Sequence, residues 1–163
     1  MRSNRKFIIL SIGSALMVAP LMSFASSHAD KRTIVGAWRT TVTVVNCQTG
    51  QPVGAPTISG LSTFHHGGTM SEFGVGPGSS PALRSPSHGV WEREHGWHDY
   101  LFTFIHYRYD TNGSLIGSQK VTADAELAAS GDAYTSTATV QILDVNSNLI
   151  ATVCAVSAAT RFE

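Results

Sequence analysis

The feature that most constrains the fold is a series of short strand-forming segments separated by tight turns, which begins near residue 34 and continues to the C-terminal end. Segments rich in Val, Thr, Ile and aromatic residues alternate with turns that contain Gly, Asn or Ser, and no useful helical period occurs after residue 30. The predicted strands, eight in number, are 34–45, 58–65, 69–74, 88–94, 97–110, 114–129, 133–144 and 149–162. The sequence therefore predicts an all-β fold built from antiparallel hairpins.

The central hairpins can be placed in one register. Asn112-Gly113 is the strongest hairpin signal, because both residues tolerate positive φ. A two-residue loop there sets Phe104 opposite Val121, and a two-residue loop at Ser130-Gly131 sets Val121 opposite Val140. The three strands then have one apolar face and one polar face, which is the pattern that fixes a register.

Residues 1–29 have the composition of a secretory signal peptide. Basic residues precede an apolar run from 7 to 22, which is too short for a stable membrane span. Ser23-Phe24-Ala25 and Ser27-His28-Ala29 have the small residues of a cleavage site, so cleavage could follow Ala25 or Ala29. We therefore expect a periplasmic or secreted protein in which residues 30–163 form one domain.

The two cysteines connect the first and the last predicted strand. In an oxidising compartment we expect one disulfide between Cys47 and Cys154, with two free thiols as the alternative. If these cysteines face each other across an antiparallel pair, Trp38 lies diagonal to Arg161 on the inner face. The hairpin register, continued through Asn146-Ser147, also places Arg161 inside. The sheet then closes into an eight-stranded antiparallel up-and-down barrel without free edges.

Short motifs at both ends of this barrel carry a resemblance to a known family. Gly36-Ala37-Trp38 on the first strand and Arg161 near the C-terminus are similar to the Gly-x-Trp motif and the closing basic residue of the lipocalin/calycin superfamily. Phe64…Gly67-Gly68-Thr69 and His88-Gly89-Val90-Trp91 resemble the short exported bacterial proteins called lipocalin-like. The resemblance implies that Trp38 and Arg161 are structural and plug the closed end. No helix pattern follows the last strand, unlike in full-length lipocalins, and a shared fold does not transfer a ligand.

The charge balance excludes one class of partner. The chain has 11 Lys and Arg against 11 Asp and Glu, and the predicted signal peptide contains three basic residues and no acidic ones. The remaining chain is therefore acidic, whereas a nucleic-acid-binding domain needs a basic face. We expect no nucleic-acid partner, no membrane span after signal cleavage and no cofactor, and the sequence indicates no particular protein partner.

Histidines are frequent around the predicted turns. His65, His66, His95 and His98 lie near acidic residues, and imidazoles with carboxylates can bind zinc or copper. None of them shares a helical face or a His-x-His alternation. We therefore favour a solvated polar turn region over a metal site.

One strand carries the candidate ligand-binding residues on its inner face. They are Tyr100, Phe102, Phe104, His106 and Arg108. The aromatic residues would form an apolar wall, and the last two would form a cationic rim near the mouth. This pattern is typical of a pocket for a small apolar or amphipathic molecule with an acidic or polar head.

Two other interpretations use the same residues. The apolar side chains could fill the barrel, in which case the long loops 46–57 and 75–87 at the mouth would carry recognition in a secreted or surface interaction protein. A small enzyme that uses His106 for proton transfer is less favoured, because no motif positions a nucleophile.

Overall fold

The computed structural model describes residues 33–54 and 57–162, so the predicted signal peptide at 1–29 lies outside the described residues. Within them, each strand of one closed antiparallel sheet pairs with its sequence neighbours, and the last pairs with the first. The strands are β1 (Gly36–Val45), β2 (Ile58–Phe64), β3 (Thr69–Val75), β4 (Ser87–Arg93), β5 (Asp99–Tyr109), β6 (Leu115–Leu127), β7 (Ala133–Leu143) and β8 (Leu149–Arg161). The predicted eight-stranded up-and-down barrel is confirmed. No helix in the described part of the chain is long and apolar enough to cross a membrane.

Alternation of apolar and polar residues sets the register of the central strands. In β6 the residues at 121, 123, 125 and 127 are buried, and those at 120, 124 and 126 are exposed. Phe104 lies opposite Val121, and Val121 lies opposite Val140, as the hairpin analysis predicts. The inner face is therefore apolar over three neighbouring strands, and a slip by one residue would expose it.

The hairpin between β5 and β6 reaches this register by a different route from the predicted one. The loop has three residues, 111–113, because the Asp110 carboxylate accepts hydrogen bonds from the backbone N–H groups of Asn112 (2.9 Å) and Ser114 (2.8 Å). The predicted two-residue loop is thus wrong. A bulge that leaves Ile116 without a cross-strand partner adds one residue to β6 and restores the predicted pairing.

The hairpin between β7 and β8 repeats the same combination. Asp144 accepts hydrogen bonds from the N–H groups of Asn146 (2.9 Å) and Asn148 (2.8 Å) across a loop of residues 145–147. Ser147 has a φ of 66° at the position where a three-residue loop requires the left-handed region. The register shifts once, so that Ile150 is the extra residue of β8. The extra loop residue and the bulge together keep the later residues of β8 on their predicted faces.

The barrel closes between β1 and β8, and here the predicted register is wrong by two residues. Trp38 lies directly opposite Arg161 and not diagonal to it. The strand ends early because the Asn46 side chain accepts hydrogen bonds from the backbone N–H groups two and three residues ahead, which turns the chain. Cys47 therefore lies in this turn, from which it forms the disulfide with Cys154 across a Cα–Cα distance of 5.1 Å. The predicted disulfide is confirmed.

Arg161 and Trp38 form the centre of the closed end. The guanidinium carbon lies 4.2 Å from the Trp38 ring centroid, a cation–π contact. Its nitrogen atoms donate to the backbone carbonyls of Thr33 (2.7 Å), Val35 (2.8 Å) and Gly131 (2.7 and 2.9 Å). One side chain thus ties the segment before β1 to the turn between β6 and β7.

Gly36 leaves the space that this arrangement needs. Its φ is 135°, and a Cβ atom there would collide with the Arg161 guanidinium. Position 36 therefore admits only glycine without rearrangement of the closed end.

An aromatic plug fills the barrel beside Arg161. Trp38 is fully buried, and its Nε1 donates to the carbonyl of Ile34 at 2.8 Å. Its ring meets Tyr134 edge to face with centroids 4.9 Å apart. The plug is the buried cluster of Ile34, Trp38, Phe64, Met70, Tyr100, Phe102, Ala123, Ala125, Leu127, Tyr134 and Ala159.

Trp38→Ala should lower the free energy of unfolding by about 3–5 kcal/mol, because it leaves a cavity in the plug and removes the ring under Arg161. Denaturant unfolding followed by circular dichroism measures this loss. Trp97→Ala is the matched control, since Trp97 is 37% exposed and Trp38 is 0% exposed. Equal effects of the two substitutions would contradict the plug.

Reduction of the disulfide should lower the melting temperature by about 10 °C, because it releases a long closed loop in the unfolded chain. The bond joins residues 107 positions apart. Thermal melts with and without dithiothreitol test this effect. The double variant Cys47→Ala/Cys154→Ala should melt at the reduced temperature and not respond to dithiothreitol, and an unchanged wild-type melt would speak against a stabilising bond.

Candidate ligand site

A cavity of about 180 Å³ lies inside the barrel next to the plug. Much of its wall is apolar and comes from inward residues of five strands. These include Val42, Val44, Phe102, Phe104, Val121, Ala123, Ala138, Val140, Val153 and Ala155. The alternative prediction required side chains to fill the barrel interior completely, and this cavity shows that they do not.

The β5 residues divide between the plug and the cavity. Phe102, Phe104 and His106 line the cavity, and the two phenyl rings stack with centroids 6.2 Å apart. Tyr100 lies in the plug, where its hydroxyl donates to a backbone carbonyl at 3.0 Å. Arg108 is half-buried and does not line the cavity. The structure thus brings three of the five candidate residues together.

The cavity contains an ion pair that the sequence analysis missed. Arg84, from the connection between β3 and β4, reaches into the barrel and meets the Glu72 carboxylate at 2.6 Å. Ser87 donates to the same carboxylate oxygen at 2.7 Å and accepts from Arg84 at 2.7 Å. Arg84 also donates to the carbonyl of Gly74 at 2.9 Å. Both charged side chains are mostly buried, so loss of either one would leave the charge of the other unpaired inside the protein.

Two glycines keep the backbone close beside the ion pair, and one of them, Gly74, makes room for the Glu72 carboxylate. Gly60 and Gly74 are cross-strand partners on β2 and β3. A Cβ atom at Gly74 would lie 2.9 Å from Glu72 Oε1, and one at Gly60 would collide with the Thr40 hydroxyl. The alternation of Met70, Glu72 and Gly74 on β3 could have shown that Glu72 faces inward, where a carboxylate needs a cation.

His106 is neutral and has a fixed tautomer. Arg84 Nη2 lies 3.1 Å from His106 Nδ1, and since a guanidinium only donates, Nδ1 accepts and Nε2 carries the proton. Burial, with smaller contributions from the charges of Arg84 and Arg108, lowers the pKa of His106 from 6.5 to about 3. The predicted cationic rim is therefore wrong for His106, because its environment excludes a second positive charge.

The other polar groups of the cavity are uncharged. The hydroxyls of Ser62 and Tyr134 are 3.3 Å apart, and those of Ser136 and Ser157 are 2.7 Å apart. Burial raises the pKa of Tyr134 to about 12, which keeps its hydroxyl protonated. Gln119 adds an amide next to His106, its cross-strand partner. The ion pair between Glu72 and Arg84 is thus the main charged feature of the wall.

Among residues 33–54 and 57–162, no hydroxyl or thiol forms a hydrogen bond with the His106 ring. The Ser87 hydroxyl bonds to Glu72 and Arg84, and the one hydrogen bond of the His106 ring in the described part of the chain is with Arg84. For the histidines near the turns, no group of three His, Cys, Asp or Glu residues with metal-binding geometry occurs among residues 33–54 and 57–162.

Comparison with known proteins does not identify a family. No protein-family model matches the chain, and no curated protein matches it. The likeness to lipocalins therefore depends on the fold and the closed end. A closed eight-stranded antiparallel barrel is consistent with a lipocalin-like fold.

The free energy of unfolding should fall as the pH falls from about 6.5 toward 4, with a slope contribution from His106 that approaches about 1.4 kcal/mol per pH unit. Above pH 6.5 His106 is neutral in both states and contributes nothing. Below it the unfolded chain binds a proton that the folded protein does not bind until pH falls to about 3. Chemical unfolding at several pH values measures the slope.

His106→Phe should reduce this slope, whereas His88→Phe should leave it unchanged, because His88 lies exposed on the outer surface of β4. Equal slopes in the wild type and His106→Phe would show that His106 is not held neutral by the fold.

Proposed function

We propose that this protein is an exported lipocalin-like binding protein that holds a small apolar or amphipathic molecule inside its barrel. The observation that carries the proposal is the cavity of about 180 Å³, whose wall is largely apolar and which the aromatic plug closes on one side. Phe102, Phe104 and His106 are the proposed ligand contacts. The Gly36-x-Trp38 motif under Arg161 supports the comparison with lipocalins.

The size of the cavity limits the ligand. It is slightly larger than an engineered apolar cavity of about 150 Å³ that binds benzene, and smaller than the roughly 300–1,000 Å³ of sites for drug-sized ligands. The ligand is thus either a small molecule of one ring or short chain, or a longer one that extends from the cavity through the mouth.

Export is supported by two independent features. Residues 1–29 have the pattern of a signal peptide, and the disulfide between Cys47 and Cys154 suits an oxidising compartment. We therefore propose that the protein binds its ligand in the periplasm or outside the cell.

Ala155→Leu should abolish binding, because the larger side chain enters the cavity from β8. The protein is purified without detergent, extracted with organic solvent, and the extract is analysed by mass spectrometry. Binding of added ethylbenzene is measured in parallel by NMR titration. Ala158→Leu is the matched control, since it makes the same change on the same strand at an exposed position.

The wild type and Ala158→Leu should release bound material or bind ethylbenzene with the same affinity, and Ala155→Leu should do neither. Absence of both co-purified material and ethylbenzene binding in the wild type would refute the binding function. Equal binding by all three proteins would place the site elsewhere than in the barrel.

A further inference from the structure

We propose that the cavity selects an uncharged molecule whose polar end is an oxygen acceptor, such as a ketone, ester, amide or alcohol, and that His106 Nε2–H is the donor that recognises it. The inference depends on the binding function proposed above and specifies its ligand class. It follows from the charge balance of the cavity, the engagement of Arg84 and the free ring nitrogen of His106.

The first step is the charge balance. The Arg84 guanidinium and the Glu72 carboxylate are in contact at 2.6 Å and cancel each other's charge. Arg108 is half-buried and does not line the cavity, so its charge, although it contributes to the lowered pKa of His106, is not part of the wall that a ligand contacts. Burial and the neighbouring Arg84 guanidinium keep His106 neutral. A ligand that enters the cavity therefore meets no net charge, and a charged ligand would lose its hydration without an opposite charge to replace it.

The second step is that Arg84 has little capacity left for a ligand. Nη1 donates to a backbone carbonyl, and Nη2 is shared among Glu72, Ser87 and His106. Nε lies 3.4 Å from a second carbonyl in its own loop. The guanidinium thus acts on the ligand through His106, whose proton it holds on Nε2. In this respect Arg84 is a positioning residue.

The third step concerns Nε2 itself. This nitrogen carries the ring proton, makes no hydrogen bond with the described residues, and is not among their buried unpaired polar atoms. The ring lines the cavity beside the stacked phenyl rings of Phe102 and Phe104. An N–H donor at the edge of an apolar cup is matched by an oxygen acceptor at one end of an apolar ligand.

Three probes of nearly the same shape separate the possible ligand classes. Acetophenone has a neutral carbonyl oxygen, benzoate has a carboxylate, and ethylbenzene has no acceptor. We expect acetophenone to bind the wild type about threefold to tenfold more tightly than ethylbenzene, as one neutral hydrogen bond provides, and benzoate to bind most weakly. NMR titration at neutral pH gives the three affinities.

Variants at two histidines assign the effect to its residue. His106→Phe should remove the preference for acetophenone over ethylbenzene, and His88→Phe on the outer surface should retain it. In ¹⁵N-labelled wild type, the Nε2 resonance of His106 should move on addition of acetophenone and stay unchanged with ethylbenzene. This measurement requires no variant, so it still decides the question if His106→Phe does not fold.

Each contrary result has a distinct meaning. Benzoate as the tightest ligand would overturn the uncharged class, and a preference for acetophenone that survives in His106→Phe would overturn the role of Nε2. Equal affinities for acetophenone and ethylbenzene would overturn this inference and leave the binding function intact. No binding of any probe by the wild type, together with no co-purified material, would refute the binding function, and this inference would fail with it.

Discussion

The contact between Arg161 and Trp38 is the interaction on which the rest of the structure depends. The two residues are direct cross-strand partners at the seam where β1 meets β8, so the contact that packs the plug also closes the sheet. Arg161 in addition satisfies carbonyl groups of segments far apart in the chain. The plug occupies the space between the strands at this end, and the cavity lies next to it on the side of the mouth, so the position of the cavity follows from the closure.

A second constraint, the partially buried charge, determines the chemistry of that space. A carboxylate inside a barrel is costly unless a cation accompanies it, and the chain supplies Arg84 from a loop rather than from a strand. The loop therefore becomes part of the wall instead of a flexible cover. Burial of His106 in this wall, with a smaller contribution from the Arg84 charge, keeps the histidine from becoming a second cation. A polar network with no net charge results, and it presents its donors and acceptors in fixed orientations.

The barrel and much of its lining could be predicted from the sequence because strand alternation has a period of two and the hairpin signals are local. The period and the hairpin register together predict the inward positions of Phe102, Phe104 and His106. Tyr100 shares the same face, but the period does not say where a plug ends and a cavity begins. Arg84 could not be predicted because it lies in a Pro- and Ser-rich loop, where no periodicity exists. Its orientation is set by partners that are distant in the sequence. The Cys47 register failed because Asn46 turns the chain through local side-chain hydrogen bonds, a signal that the sequence contained.

The paired loop and bulge of the β5–β6 and β7–β8 hairpins have a consequence for how the chain can change length. Each loop is one residue longer than the shortest hairpin, and each following strand holds one extra residue. Deletion from the loop alone or from the bulge alone would exchange inner and outer side chains along the affected strand. Simultaneous deletion of both would preserve them. The length of these hairpins can therefore change without disturbing the barrel interior only if the loop and the bulge change together. A foreign segment could be grafted onto either hairpin tip only if the bulge is redesigned with the loop.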